Sequence, residues 1–91
     1  MKQYTAQKPR YYRDADGDYI MIVGVWKEHG ESPTYEGAAP ALRGNVGSIV
    51  GWEFSVGYVQ SLERVNRDSV PRAWYGAFQR YVSMGEQVSN G

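Results

Sequence analysis

The sequence has no cysteine among its 91 residues and only one histidine, His29. Without cysteine, neither a disulfide framework nor a thiolate metal site can form. No apolar run approaches the roughly 18 residues that a membrane-spanning helix needs, and the N-terminus lacks the apolar core of a signal peptide. We therefore expect a cytoplasmic protein that has no membrane segment, no metal site and no cofactor.

Charge of either sign is not in excess, because ten Lys and Arg balance ten Asp and Glu. The charges are nevertheless segregated along the chain. Residues 1–13 carry four cations and no acid, whereas residues 14–36 carry six acids against Lys27 alone, which leaves −5. The overall balance argues against a non-specific polyanion binder. The segregation favours a bipolar surface that meets a partner or a second copy of the chain.

The composition is globular, with 42% hydrophobic residues, of which many are aromatic (14% of the chain), and 22% charged residues. A chain of this length forms one domain and buries only about two-thirds of its unfolded surface. We therefore expect a single small domain over residues 1–91, with a long loop at 27–47 and a frayed tail at 86–91.

The stretch "RDADGDY" places three aspartates at alternate positions, as a calcium-binding loop does. Such a loop needs glycine at its sixth position and glutamate at its twelfth. Counting from Asp14, these positions hold Tyr19 and Val25. The dipeptide Asp16-Gly17 instead favours a two-residue type I′ turn between two β-rich runs. The pattern predicts a β-hairpin and not a metal site.

Three further patterns define the expected fold. The run "YIMIVGVW" is a strand, with "RYYR" as its hairpin partner, and "SIVGWEFSVGYVQSL" alternates as a strand with one buried face. The run "VPRAWYGAFQRYVSMG" has the apolar stripe of a helix that docks through Trp74, Phe78 and Tyr81 and ends near Gly85. We predict an α+β fold, a small antiparallel sheet of three to four strands with a C-terminal amphipathic helix packed on one face.

The strand at residues 19–26 is apolar on both faces, with Val25 grouped on the face of Met21 and Trp26 on the opposite face. One helix covers only one face, and the 27–47 loop is poor in large apolar residues. An uncovered face of this size exceeds the apolar patch that soluble monomers usually expose. We therefore predict a homodimer whose interface has Tyr11 or Tyr12 at its centre.

The stretches "SIVGW" and "VQSLERVN" resemble short pieces of the plasmid-type (type II) dihydrofolate reductases, which are small SH3-like barrels. The functional Val-Gln-Ile-Tyr motif of that family aligns with residues 59–62, where only Val59 and Gln60 match. No activity is inferred from this resemblance.

No convincing nucleophile, paired carboxylates or phosphate loop is present, so we predict no catalytic residues. Eight tyrosines, and seven arginines against three lysines, supply the residue types that anchor interfaces. The sequence favours a non-enzymatic protein-interaction module, an inhibitor or adaptor of the kind that phages and mobile elements carry. The candidate binding residues are Arg10, Tyr11, Tyr12, Arg13, Trp26, His29 and Tyr35.

Two alternative functions stay open. One is a small-molecule binder or enzyme with a pocket between the sheet and the 27–47 loop, lined by Trp26, His29 and Tyr35, with His29 as acid or base. The other is single-stranded nucleic-acid binding through the basic, tyrosine-rich "KPRYYR", where cations alternate with aromatic rings.

We predict that Asp14, Asp16 and Asp18 do not bind calcium, because the glycine and glutamate of a calcium loop are missing. Calorimetry with millimolar calcium should show no saturable heat. A binding isotherm that Asp14→Asn abolishes would contradict the hairpin interpretation.

Overall fold

The computed structural model describes the backbone of residues 1–90 and the side chains of residues 1–84. The chain forms one antiparallel sheet in the order β4-β3-β2-β1-β5, together with two helices. The α+β class is confirmed, but the sheet has five strands instead of three to four. The elements are β1 (Gln3–Arg13), β2 (Tyr19–Lys27), β3 (Thr34–Pro40), β4 (Ile49–Ser55), α1 (Val56–Gln60), β5 (Glu63–Val65) and α2 (Arg72–Asn90).

The predicted hairpin joins β1 to β2, but its turn differs from the predicted type. The backbone N–H of Asp14 donates to the carbonyl of Asp18 at 2.9 Å, and the N–H of Gly17 donates to the carbonyl of Asp14 at 3.1 Å. Gly17 has φ 88°, whereas Asp16 keeps a negative φ. The connection is therefore a three-residue loop that ends in one left-handed glycine, and not a two-residue type I′ turn.

A register shift in the pairing of β2 with β3 changes which side chains face α2. Ile22 pairs with Gly37 and Gly24 pairs with Glu36, so Val23 is an extra residue in β2. After such an extra residue, each side chain points to the face of the sheet opposite to the one that strict alternation predicts.

Val25 therefore faces the same side as Ile22, and Trp26 faces the same side as Met21. The grouping predicted from strict alternation is wrong for these two residues. The indole of Trp26 accordingly meets Glu36, to which its Nε1–H donates at 2.5 Å.

The prediction of one long loop over residues 27–47 is wrong for residues 34–40. These residues form β3, which lies between β2 and β4 in the sheet. Its residues 37–40 are Gly, Ala, Ala and Pro, types with little preference for strands. The small side chains are required by the packing. Ala38 is fully buried opposite Met21, and a side chain at Gly37 would collide with the carbonyl oxygen of Met21.

The predicted strand across residues 48–62 ends at Ser55, where α1 begins. The hydroxyl of Ser55 accepts the backbone N–H of Tyr58 at 3.2 Å, so Ser55 caps this helix. The following β5 pairs with residues 11–13 of β1 and adds the fifth strand.

Both faces of the sheet are covered within one chain. On the α2 side, Phe78 and Val70 pack on a layer formed by Tyr11, Met21 and Ala38. On the other side, Val59 of α1 packs on a second layer, formed by Tyr12, Ile20, Ile22 and Ala39. Tyr11 and Tyr12 are thus core residues, and the predicted location of a dimer interface at these residues is wrong. The oligomeric state itself stays a prediction.

The docking of α2 through Trp74, Phe78 and Tyr81 is confirmed, with Phe78 fully buried at the centre. The rings of Tyr19 and Trp74 lie 5.6 Å apart. The helix continues past Gly85, where the sequence predicts its end. α2 extends over residues 86–90 of the predicted frayed tail, while their side chains and the whole of residue 91 lie outside the described residues. In the described part of the chain, no helix is both long enough and apolar enough to cross a membrane.

We expect Phe78→Ala to lower the free energy of unfolding by about 3–5 kcal/mol, because the cavity it leaves lies at the centre of the α2 layer. Urea denaturation followed by circular dichroism measures this change. The neighbouring Gln79→Ala, on the exposed side of α2, is the matched control and should shift stability by less than about 0.5 kcal/mol. Equal midpoints for the two variants would show that α2 is peripheral to the fold.

Candidate functional site

The strand β4 forms one edge of the sheet and pairs with β3 alone among the described residues. Most of its seven residues are exposed, including Val50 and Trp52. Glu53 is its only charged residue, and it contains no proline. Because alternate backbone N–H and C=O groups of an edge strand point outwards, β4 offers an unused ladder for another strand.

An aromatic pocket lies beside β4 on the face opposite α2. Its volume is about 300 Å³. Trp52 and Tyr58 are 44% and 43% exposed, and the rings of Phe54 and Tyr58 stack at 5.6 Å with an interplanar angle of 14°. The indole Nε1–H of Trp52 donates to the carbonyl of Ala39 at 3.1 Å, which fixes the ring.

Carboxylates from the β1–β2 turn lie at the same pocket. Asp14 and Asp18 both line it. Asp18 is only 7% exposed, and both of its carboxylate oxygens accept the backbone N–H of Gly44, at 3.0 and 3.1 Å. Asp16 pairs with Arg43 at 3.3 Å. Among the described side chains, neither Asp14 nor Asp18 has a cationic partner.

The field of these carboxylates reaches the phenol of Tyr58. Burial raises the pKa of Tyr58 above its ordinary value, and the negative charges of Asp14, Asp16 and Asp18 raise it further. The pocket therefore combines exposed aromatic rings with a negative potential.

An apolar groove of about 580 Å³ lies on the other side of β4, beneath α2. Ile49 and Gly51 of β4 face Ala77, Tyr81 and Met84 of the helix across it. A side chain at Gly51 would collide with the hydroxyl of Tyr81, so the glycine lets the helix approach β4 closely. Burial raises the pKa of the Tyr81 phenol, as expected for a ring held in an apolar wall.

A polar network holds the far end of β4. The carboxylate of Glu53 accepts hydrogen bonds from Thr34 Oγ1 at 2.5 Å and pairs with Lys2 Nζ at 2.7 Å. The hydrogen bonds from Lys2 and Thr34 lower the pKa of Glu53, and the bond to Glu53 raises the pKa of Lys2. The only charge on β4 is thus already satisfied within the chain.

The residues that the sequence singles out do not converge on one site. Trp26 bonds Glu36 on the α2 side, whereas the neighbouring Tyr35 lies on the opposite face beneath the guanidinium of Arg10, 5.2 Å from its ring. His29 is exposed in the turn after β2. The predicted pocket formed by Trp26, His29 and Tyr35 is therefore absent from the described residues.

In the basic stretch at residues 8–13, the two tyrosine rings lie in the core. Tyr11 and Tyr12 are buried, and the guanidinium of Arg10 donates to Tyr12 Oη at 3.2 Å. Arg13 is exposed beside the β1–β2 turn. Whether any of these residues binds a partner stays a prediction.

A basic cleft of about 630 Å³ lies near β5, at the opposite edge of the sheet from β4. Lys8, Arg67 and the single acid Asp68 are among its lining residues. Its ring Tyr75 is covered by the guanidinium of Arg67 at 5.5 Å. The cleft thus carries positive charge but offers no uncovered aromatic ring.

The residues of the aromatic pocket were missed because α1 was interpreted as a strand. The signal that could have revealed the helix is Ser55 three residues before Tyr58, the spacing of a helix N-cap. In the described residues, no group of His, Cys, Asp and Glu is placed to hold a metal ion.

The chain was also compared with known proteins. No protein-family model, curated protein or solved structure matches it.

We expect Asp14→Asn to lower the pKa of the Tyr58 phenol towards its ordinary value. Asparagine keeps an oxygen that accepts the backbone N–H groups of Asp16 and Asp18, and it removes one of the charges that raise this pKa. An NMR titration of the tyrosine ring signals measures the change. Asp68→Asn, at the opposite edge, is the control; equal shifts in both variants would contradict a local effect.

Proposed function

We propose that this protein is a non-enzymatic interaction module, an inhibitor or an adaptor, that binds an extended segment of a partner protein along the outer edge of β4. The observation that carries the proposal is an exposed apolar edge strand with a pocket on each of its two faces. Addition of a strand to a sheet edge gains main-chain hydrogen bonds, and flanking pockets select the side chains.

The other sheet edges support this choice by contrast. Edge strands are normally protected by proline, lysine, irregular pairing or short length. The unpaired part of β1 has Lys8, Pro9 and a register shift between Ala6 and Arg10, and β5 has only three residues. The seven-residue β4 has none of these protections. Its single charge, on Glu53, is paired with Lys2.

The two pockets match the geometry of an incoming strand. Successive side chains of a strand point to opposite faces. A partner strand beside β4 would therefore direct alternate side chains towards the groove under α2 and towards the pocket formed by Trp52 and Tyr58. A helix or a compact ligand could not use both.

The two alternative functions have weaker support. The cavity beside Trp26 is lined by Glu28, Glu31 and Ser32 and not by His29 or Tyr35, so it gives no geometric support for His29 as an acid or base. Single-strand nucleic-acid binding depends on free rings for base stacking, and Tyr11 and Tyr12 are buried. The exposed rings of Trp52 and Tyr58 lie instead beside Asp14 and Asp18, where phosphate is repelled.

The test selects peptides of the same length as β4 from a random displayed library against the immobilised protein. Enriched peptides should slow amide hydrogen exchange in β4 and leave β5 unchanged. N-methylation at alternate peptide positions should weaken binding by about tenfold or more, since it removes several ladder hydrogen bonds that are together worth about 1.4 kcal/mol or more. The selected peptide and its N-methylated form have identical side chains, so the comparison tests only the backbone hydrogen bonds.

The proposal would be overturned if the library gave no enriched peptide. It would also be overturned if N-methylation left the affinity of the enriched peptides unchanged at both sets of alternate positions. A third contrary result is a scattering mass of two chains at micromolar concentration with slow exchange in β4, which would assign this edge to a homodimer.

A further inference from the structure

The aromatic pocket beside β4 holds negative charge that the chain does not neutralise. Asp18 is buried, yet among the described side chains no cation pairs with it, and its hydrogen bonds come from one backbone N–H group. Burial of a carboxylate without a countercharge is costly. Asp14 lines the same pocket with its Oδ1 already bound to two backbone N–H groups. A cation that enters the pocket would lower this cost.

The walls of the pocket suit a planar cation. Trp52 and Tyr58, which are 44% and 43% exposed overall, both line the pocket, and the ring of Phe54 stacks on that of Tyr58. A cation over an aromatic face is attracted by the negative charge density of the ring, and more strongly when water is excluded. Rings without carboxylates would also accept an apolar side chain, but the combination selects positive charge.

We propose that the pocket formed by Trp52, Tyr58, Asp14 and Asp18 binds an arginine side chain of the partner segment. The inference rests on the proposed function, because the side chain reaches the pocket from a strand paired with β4. Arginine fits better than lysine since its planar guanidinium both stacks on aromatic rings and donates two hydrogen bonds to one carboxylate.

The size of the pocket agrees with a single side chain. Its volume of about 300 Å³ is at the lower end of the range for ligand pockets, roughly 300–1,000 Å³. A second copy of the chain does not meet the requirement by pairing its own β4, because the sequence "IVGWEFS" contains no cation. Charge complementarity therefore favours a different protein with a basic strand.

The test uses the peptides selected against the protein. Arginine should be enriched at the one peptide position whose side chain faces the pocket, and its replacement by citrulline, which has nearly the same shape but no charge, should weaken binding by about tenfold. Replacement by lysine should weaken it less. Trp52→Ala should cause a similar loss, whereas Leu42→Ala, an exposed apolar residue away from the pocket, should change affinity by less than twofold.

The outcomes separate this inference from the proposed function. Peptides that need their backbone N–H groups but bind equally well with citrulline would overturn the arginine site and leave strand addition intact. Peptides that lose affinity with citrulline but tolerate N-methylation would keep the arginine site and overturn the paired strand of the proposed function. An equal salt dependence for the arginine peptide on the parent protein and on Asp14→Asn would also contradict the site, because removal of a contact charge must reduce that dependence.

Discussion

The fold depends on the burial of β2 from both sides. Ile20, Met21 and Ile22 are almost completely inaccessible, and they alternate between the two faces. One long helix covers one face, and the five residues of α1 with Leu62 cover the other. Because the second cover is so short, it protects the centre of the sheet but not β4, whose outer edge and aromatic rings stay exposed.

The parts of the fold that could be predicted are those where pattern and packing agree. The β1–β2 hairpin follows from Asp16-Gly17 between two apolar runs, and α2 follows from the stripe through Trp74 and Phe78. The strand β3 could not be predicted, since Gly37 and Ala38 are selected by the limited space beside Met21 and beneath Phe78. Tertiary packing there overrides local propensity.

The candidate site was predictable only in fragments. The three aspartates of the β1–β2 turn were recognised as a turn, but their neighbours were not. Asp18 becomes buried because Gly44 donates to it from a loop 26 residues away, and no local pattern reports such a contact. Tyr58 lies near the aspartates because the chain turns at α1 after β4. The alternation of apolar and polar residues continues from β4 into α1, so the sequence pattern gives no sign of this turn.

The two pockets beside β4 have different structural origins. One results from the packing of the fold, and the other does not. The groove under α2 results from the glycine that admits Tyr81, so it is a consequence of helix docking. The aromatic pocket serves no such purpose, because Trp52 and Tyr58 remain half exposed after the core is complete. A domain that only had to fold would gain stability by covering those rings and by giving Asp18 a countercharge. The exposure of these rings at an unprotected strand edge is the feature from which we propose an incoming strand.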